Sequence, residues 1–419
     1  MTAVAGAATA AIENPQALAC RNCGRRYPVE PLSICEDCFG PLEPWYDLGA
    51  IDPDVFRKQV ESGPQSLWRY EALLPGGPGI ERVDLGAGFT PLRRAANLGE
   101  RLGIDRLWIK DDTVNPTASF KDRVVSVALT MSRAFGFEAV ACASTGNLAN
   151  ATAGHAAHAR IPAYVFIPFD LERAKVLATA AYGANVIAVD GNYDDVNRLC
   201  SEVAETLPWA FVNVNMRPFY AEGSKSLGFE TAEQLGWRLP DHCVVPVASG
   251  ALLTRIDRAF AELSEIGAIE RKPVRISGAQ AAGCSPVAQA FASGAEEVRP
   301  VRPNSIARSL AIGNPADGYY AMQTARRTDG VIDACEEEEV VEGISLLAET
   351  EGLFAETAGG VTIACLKRLR ESGAIRDGEE VVAYITGSGY KTVEVLEDRV
   401  RAPISVAPSL DDFLSKLPK

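Results

Sequence analysis

The chain has 419 residues, of which 47% are hydrophobic and 23% charged, the balance of an ordinary globular protein with two or three domains and a large buried core. Its 41 Lys and Arg stand against 55 Asp and Glu, a formal net charge of -14, which argues against nucleic acid or an anionic membrane surface as the main partner. The apolar runs are broken by Gly, Pro or charge, so none reads as a membrane span.

Residues 1–15 are Ala-rich, carry Glu13 and lack a basic n-region, which reads as a disordered tail and not as a signal peptide. Ten cysteines without a secretion signal imply reduced thiols and a cytoplasmic setting, so grouped cysteines are metal candidates. Two CxxC knuckles follow, Cys20-Arg21-Asn22-Cys23 and Cys35-Glu36-Asp37-Cys38, separated by eleven residues. Four thiolates so spaced suit a tetrahedral Zn2+ with no open position, hence a structural one; the alternative is a remnant set that holds no metal.

Residues 48–81 read as a connector with a short helix near 55–60. Short apolar runs then alternate with helix-length segments. Strands are expected at 107–110, 139–142, 163–167, 186–189, 243–247, 274–278 and 381–385. Helices are expected at 124–135, 147–159, 171–181, 193–206, 252–266 and 362–370. This alternation predicts an α/β fold of two parallel-sheet domains covered on both faces, with a Pro-punctuated extension at 402–419.

In such folds ligands bind beyond the carboxyl ends of strands. The loop Asn115-Pro116-Thr117-Ala118-Ser119-Phe120-Lys121-Asp122-Arg123 places one lysine at the mouth of an apolar helix, with Ser119 as the expected N-cap and Asp122 as its capping-box partner. The helix dipole and burial both disfavour an ammonium there, and such an amine can form a Schiff base. Three further loops follow strands: Ser144-Thr145-Gly146-Asn147, Ala248-Ser249-Gly250-Ala251-Leu252 and Thr386-Gly387-Ser388-Gly389. The second has the small residues that let backbone N–H groups approach a phosphate at a helix start. No G-x-G-x-x-G follows the first strand, no G-x-S-x-G elbow is present, and His155 and His158 read as packing residues on an Ala-rich helix.

These four loops, in this order, resemble the pyridoxal-phosphate enzymes of the tryptophan-synthase-β type (fold type II), and within them the threonine synthase family. The marks are the Asn115-to-Arg123 and Ser144-to-Asn147 motifs together with Gly191-Asn192-Tyr193-Asp194-Asp195, Glu222-Gly223-Ser224-Lys225, Ile312-Gly313-Asn314-Pro315 and Thr386-Gly387-Ser388-Gly389-Tyr390-Lys391. The resemblance spans nearly everything from Cys20 to Asp398, and some members carry a four-cysteine ribbon.

The resemblance implies pyridoxal 5'-phosphate as cofactor, with Lys121 as its Schiff-base lysine and proton shuttle. It implies Asn147 at the cofactor's 3-hydroxyl, residues Ala248, Ser249, Gly250, Ala251 and Leu252 around its phosphate, and Thr386 at the pyridine nitrogen. Ser144 and Thr145 would meet a small phospho-amino-acid substrate. The implied reaction is loss of phosphate from O-phospho-L-homoserine with hydration at Cβ to L-threonine, catalysed by a cytoplasmic homodimer. The chain departs from the family pattern at Ala118 (commonly Gly), Leu148 (commonly Thr) and Tyr220 (commonly Arg). The last two positions help hold the substrate phosphate in the family, so Arg217 and Arg308, or else Arg123 and Lys225, are the replacement cations. Two alternatives stay open: β-replacement on O-phosphoserine, and a non-catalytic cofactor- or metal-binding interaction protein. The expected division is a ribbon at 16–48, a large cofactor domain at 49–130 and 222–401, and a small domain at 131–221.

Overall fold

The computed structural model describes residues 14–77, 79–144, 146–169, 173–191, 193–397, 399–400 and 403–416. The expected N-terminal tail lies almost wholly outside them.

A six-stranded sheet runs in the order Ile332–Cys335, Arg275–Ala281, His242–Pro246, Glu380–Ile385, Arg106–Asp111, Leu92–Arg94. All neighbours pair in parallel except Leu92–Arg94, which is antiparallel to Arg106–Asp111. Every residue of Glu380–Ile385 is buried, as expected of a central strand with helices on both faces. A four-stranded parallel sheet has the order Asn185–Val189, Ala163–Pro168, Ala139–Ala143, Trp209–Phe211. The α/β expectation is therefore met, with one antiparallel edge that the apolar pattern did not signal.

The segment 16–48 adds a three-stranded antiparallel sheet, with Ala17–Cys20 between Arg26–Tyr27 and Leu42–Trp45. The helix Lys121–Ala134 packs on the helices Asn147–Ala159 and Arg217–Glu222. The four loops lie beyond the strand ends Asp111, Ala143, Pro246 and Ile385.

The first turn of that helix is fixed by a buried ionic cluster. Arg123 Nε lies 2.7 Å from Asp112 Oδ2, and its Nη2 donates to Glu230 Oε2 at 2.8 Å. Lys110 Nζ sits 2.6 Å from the same Glu230 oxygen and donates to Gln234 Oε1 at 3.0 Å. Burial pushes the Glu230 carboxyl up, but Arg123 and Lys110 outweigh it and hold it at about 2.

His242 opens the strand His242–Pro246, fully buried, with Nε2 2.7 Å from Ser277 Oγ and Nδ1 3.7 Å from Glu379 Oε2. Burial, joined by Arg275 and opposed by Glu379, pulls its pKa from the usual 6.5 down to about 4. Across that window the unfolded chain binds a proton that the folded chain refuses. Stability therefore rises with pH, and acidification from pH 6.5 to 4 removes up to about 3 kcal/mol through this group. His242→Gln keeps a partner for Ser277 and does not titrate, so its urea midpoint should fall less steeply across that interval. Parallel pH profiles for the two proteins would exclude the assignment.

Candidate active site

Lys121 is the first residue of its helix, but the start is built differently from expectation. Phe120 occupies the cap position, and Ser119 Oγ is buried without a hydrogen-bond partner among the described residues. Asp122 faces back: its carboxylate accepts from the Thr117 N–H and Oγ1–H at 2.8 Å each and lies 3.0 Å from His155 Nε2. The capping box is thus replaced by a clasp on the loop before the helix. A second clasp comes from the last strand, since Phe120 N–H donates to Thr386 O at 2.9 Å and Ser388 N–H to Ala118 O at 3.0 Å. The lysine loop and the Thr386 loop are thereby one unit.

The Lys121 amine donates to Tyr220 Oη at 2.8 Å and lies 4.5 Å from the centre of the Phe120 ring. In the sequence Tyr220 stands out only as a lost cation; in the fold it is the hydrogen-bond partner of the amine. Ninety-nine residues separate the two, so no local signal could have paired them.

Asn147 begins the helix Asn147–Ala159, where expected. Its Nδ2 donates to both oxygens of Glu356 at 2.9 Å, and its Oδ1 accepts from Lys391 Nζ at 3.0 Å. A carboxylate on one side and an ammonium on the other fix the sense of the amide. Gly387 is required here, because a Cβ at that position would come within 2.3 Å of Glu356 Oε1. Burial lowers the Lys391 pKa, with Glu356 and Asp122 opposing. Neither Glu356 nor Lys391 was picked out for the site from sequence. Ser144 Oγ accepts from the backbone N–H groups of Gly146 and Ala149 at 3.1 and 2.9 Å, securing the turn before that helix. Thr145 lies outside the described residues.

The loop from Ala248 to Leu252 turns on Gly250, at φ +97°, where a Cβ would meet Asp317 O at 2.7 Å. Gly250 takes the positive φ, and Ala248, Ser249, Ala251 and Leu252 are spared it. The helix Ala251–Glu265 then begins at the cavity wall with its positive end.

Lys121, Ser144, Asn147, Tyr220, this loop and Thr386 line one cavity of about 890 Å3, within the range of roughly 300–1,000 Å3 for ligand pockets. Arg217 and Arg308 line it too, and Arg217 Nη2 pairs with Asp317 Oδ2 at 2.8 Å. Arg123 and Lys225 do not line it. Arg123 belongs to the Asp112 and Glu230 cluster, and Lys225 Nζ is 2.6 Å from Glu222 Oε2 and 2.9 Å from Glu262 Oε2. Full burial among carboxylates removes both from the replacement cations.

The arrangement fits the expected cofactor. An amine, a glycine loop at a helix N-terminus able to take a phosphate, an oriented amide and a hydroxyl line one cavity. Asn147 Nδ2 donates to both oxygens of the Glu356 carboxylate, which orients the amide at the cavity. Asn213 also lines the cavity, and its Oδ1 is buried with no partner among the described residues.

The four cysteine sulfurs lie within 4.8 Å of one another, with Cys20 to Cys38 at 3.4 Å and Cys23 to Cys35 at 3.7 Å, and all four thiols are free. A Zn–S distance of about 2.3 Å implies tetrahedral S···S edges of about 3.8 Å, so the thiols fit that ion. Ser33, Pro41, Leu42 and Glu43 of this segment line the cavity, a role that the knuckle spacing did not suggest.

Ala118 adopts φ +60°, a left-handed conformation costing an L-residue roughly 1–2 kcal/mol, partly offset by the backbone entropy that glycine loses on folding. Ala118→Gly should therefore stabilise the protein by about 1 kcal/mol in urea unfolding. A loss of stability would show that the Ala118 methyl makes a compensating contact.

A family model described as pyridoxal-phosphate dependent enzyme matches residues 83–387. The threonine synthase of Methanocaldococcus jannaschii is 36% identical over 390 residues, covering 92% of this chain and 96% of that protein. The threonine synthase of Methanosarcina acetivorans is 34% identical, covering 94% of this chain and 96% of that protein. In fold, the chain is similar to maize serine racemase, with TM-score 0.62 and 20% identity over 83% of this chain and 97% of that one. A pyridoxal 5'-phosphate-dependent aspartate racemase gives TM-score 0.64 and 16% identity, covering 83% and 98%. The chain belongs to the pyridoxal-phosphate-dependent enzyme family and, within it, to the threonine synthase group.

Proposed function

We propose that this chain is a lyase that makes L-threonine from O-phospho-L-homoserine, with phosphate leaving Cγ and water adding at Cβ. The observation that carries the reading is the shared cavity, which is lined by Lys121, the Gly250 loop, Asn147 and Thr386 together with Arg217 and Arg308. Bound pyridoxal phosphate supplies the electron sink that makes loss of the Cα and Cβ protons accessible.

The chain's own residues do the rest. Lys121 Nζ takes and returns protons at Cα and Cβ, and Tyr220 Oη holds that amine in place. Backbone N–H groups from Ala248 to Leu252 hold the cofactor phosphate at the helix start. Asn147 turns its side-chain amide to the cofactor's 3-hydroxyl, while Thr386 meets the ring nitrogen with a hydroxyl, which does not keep that nitrogen protonated as a carboxylate would. Arg217 and Arg308 receive the substrate phosphate, and the loop Ser144-Thr145 and Asn213 receive its amino-acid end. Cys20, Cys23, Cys35 and Cys38 hold a structural zinc. The working division is a ribbon at 16–48, a cofactor domain at 49–130 and 222–401 and a small domain at 131–221, in a cytoplasmic homodimer.

Purified protein given O-phospho-L-homoserine should yield threonine and phosphate in equal amounts, and O-phospho-L-serine with sulfite should yield no product. Turnover of the second alone would replace the reading with a shorter substrate. Lys121→Ala should lower kcat by at least about 10²- to 10⁴-fold, and undiminished turnover would remove Lys121 from the chemistry. Arg217→Ala should raise KM for the phosphorylated substrate by about tenfold or more with little effect on cofactor affinity. An unchanged KM would exclude Arg217 as a phosphate ligand.

A further inference from the structure

Between the first two cysteines stands Arg21, which contacts two residues of the cavity lining, Glu43 and Asp317. Arg21 and Asn22 lie between Cys20 and Cys23, so the turn that gathers the thiols also fixes these two side chains. Asn22 Oδ1 accepts from Tyr320 Oη at 2.6 Å, and the Arg21 guanidinium lies 3.7 Å from the centre of the Tyr320 ring. Arg21 Nη1 is 3.3 Å from Glu43 Oε1 and 3.8 Å from Asp317 Oδ1. The other Asp317 oxygen accepts from Arg217 at 2.8 Å, and the Asp317 backbone N–H donates to Ser249 O at 2.8 Å. Asp317 therefore joins three parts: its carboxylate meets the four-cysteine segment and a cavity arginine, and its backbone N–H meets the glycine loop.

Its side chain is only 11% exposed, so charges around it are weakly screened. Were Arg217 its sole cation, Asp317 would compete directly with an incoming anion for that guanidinium. A second cation shares the carboxylate's charge and lowers the cost of turning Arg217 toward the cavity.

We infer that Arg21 and Asp317 are positioning residues for Arg217, which tie anion binding in the cavity to the folded four-cysteine segment. The inference rests on the reading of Arg217 as a ligand of the substrate phosphate. Its test uses the full chain loaded with pyridoxal phosphate and takes inorganic phosphate as the probe, with binding followed by calorimetry. KM and kcat for O-phospho-L-homoserine, zinc content and cofactor affinity are measured in parallel for R21M, R21K, R217A and R21M/R217A.

R21M should weaken phosphate binding and raise KM by about tenfold, with zinc content unchanged and kcat and cofactor affinity within about threefold. R21K should recover most of the loss, and R21M/R217A should be no worse than R217A. Normal phosphate binding in R21M beside a loss in R217A would overturn the inference and leave the Arg217 reading intact; no loss in either would overturn both. Losses that add fully in the double variant would also overturn it, because Arg21 would then act elsewhere. Should R21M lose its metal, Asp317→Asn probes the same link from its other end, and an unchanged phosphate affinity there would equally overturn it.

Discussion

The Arg123 guanidinium, buried two residues after Lys121, is the constraint on which the site depends. It binds Asp112, just beyond the strand Arg106–Asp111, and Glu230, within the helix Lys225–Gln234. Two segments, one of them 107 residues away, are thereby fixed on the turn that presents Lys121. A buried ion pair adds little net stability, yet removing one partner strands a charge at a cost of about 3–5 kcal/mol. The cluster thus serves chiefly to set one geometry for the lysine turn, and the clasps from Thr117 to Asp122 and from Phe120 to Thr386 complete it.

Much of this framework was legible in the chain. The helix Asn147–Ala159 falls on its expected bounds because Gly146, at φ +142°, breaks the chain just before an Ala-rich run. The helix Tyr193–Thr206 also falls where its pattern placed it. The order of strand-end loops located the cavity wall because parallel sheets bring such ends together. Long-range partners were not legible. Tyr220 lies 99 residues from Lys121, and Glu356 lies 209 from Asn147. The Ser119 cap failed for a related reason: Asp122, which a capping box would use, is engaged by Thr117 and His155. Arg123 and Lys225 look like accessible cations in the sequence because the carboxylates of Glu230 and Glu262, which help bury them, lie 107 and 37 residues away.

The four-cysteine segment is more than an appendage. Glu43, on its strand Leu42–Trp45, lies within 2.7 Å of Arg255 and 2.6 Å of Arg258, both on the helix Ala251–Glu265 behind the glycine loop. Burial raises the Glu43 carboxyl, but these arginines and Arg21 outweigh it and hold it at about 2. The segment is therefore docked by ionised, largely buried groups as well as by the apolar residues Leu18, Tyr27 and Leu42 of the main core. Such pairs are directional, so they set how the segment sits against the cavity as well as holding it there.

The central claim, that Lys121 carries the cofactor, is tested most directly by reducing the pyridoxal-phosphate-loaded protein with borohydride and mapping the modified peptide by mass spectrometry. The account predicts a phosphopyridoxyl group on Lys121 alone. Its appearance on Lys391, the lysine bonded to Asn147, would contradict the account and reassign the chemistry to the opposite side of that amide.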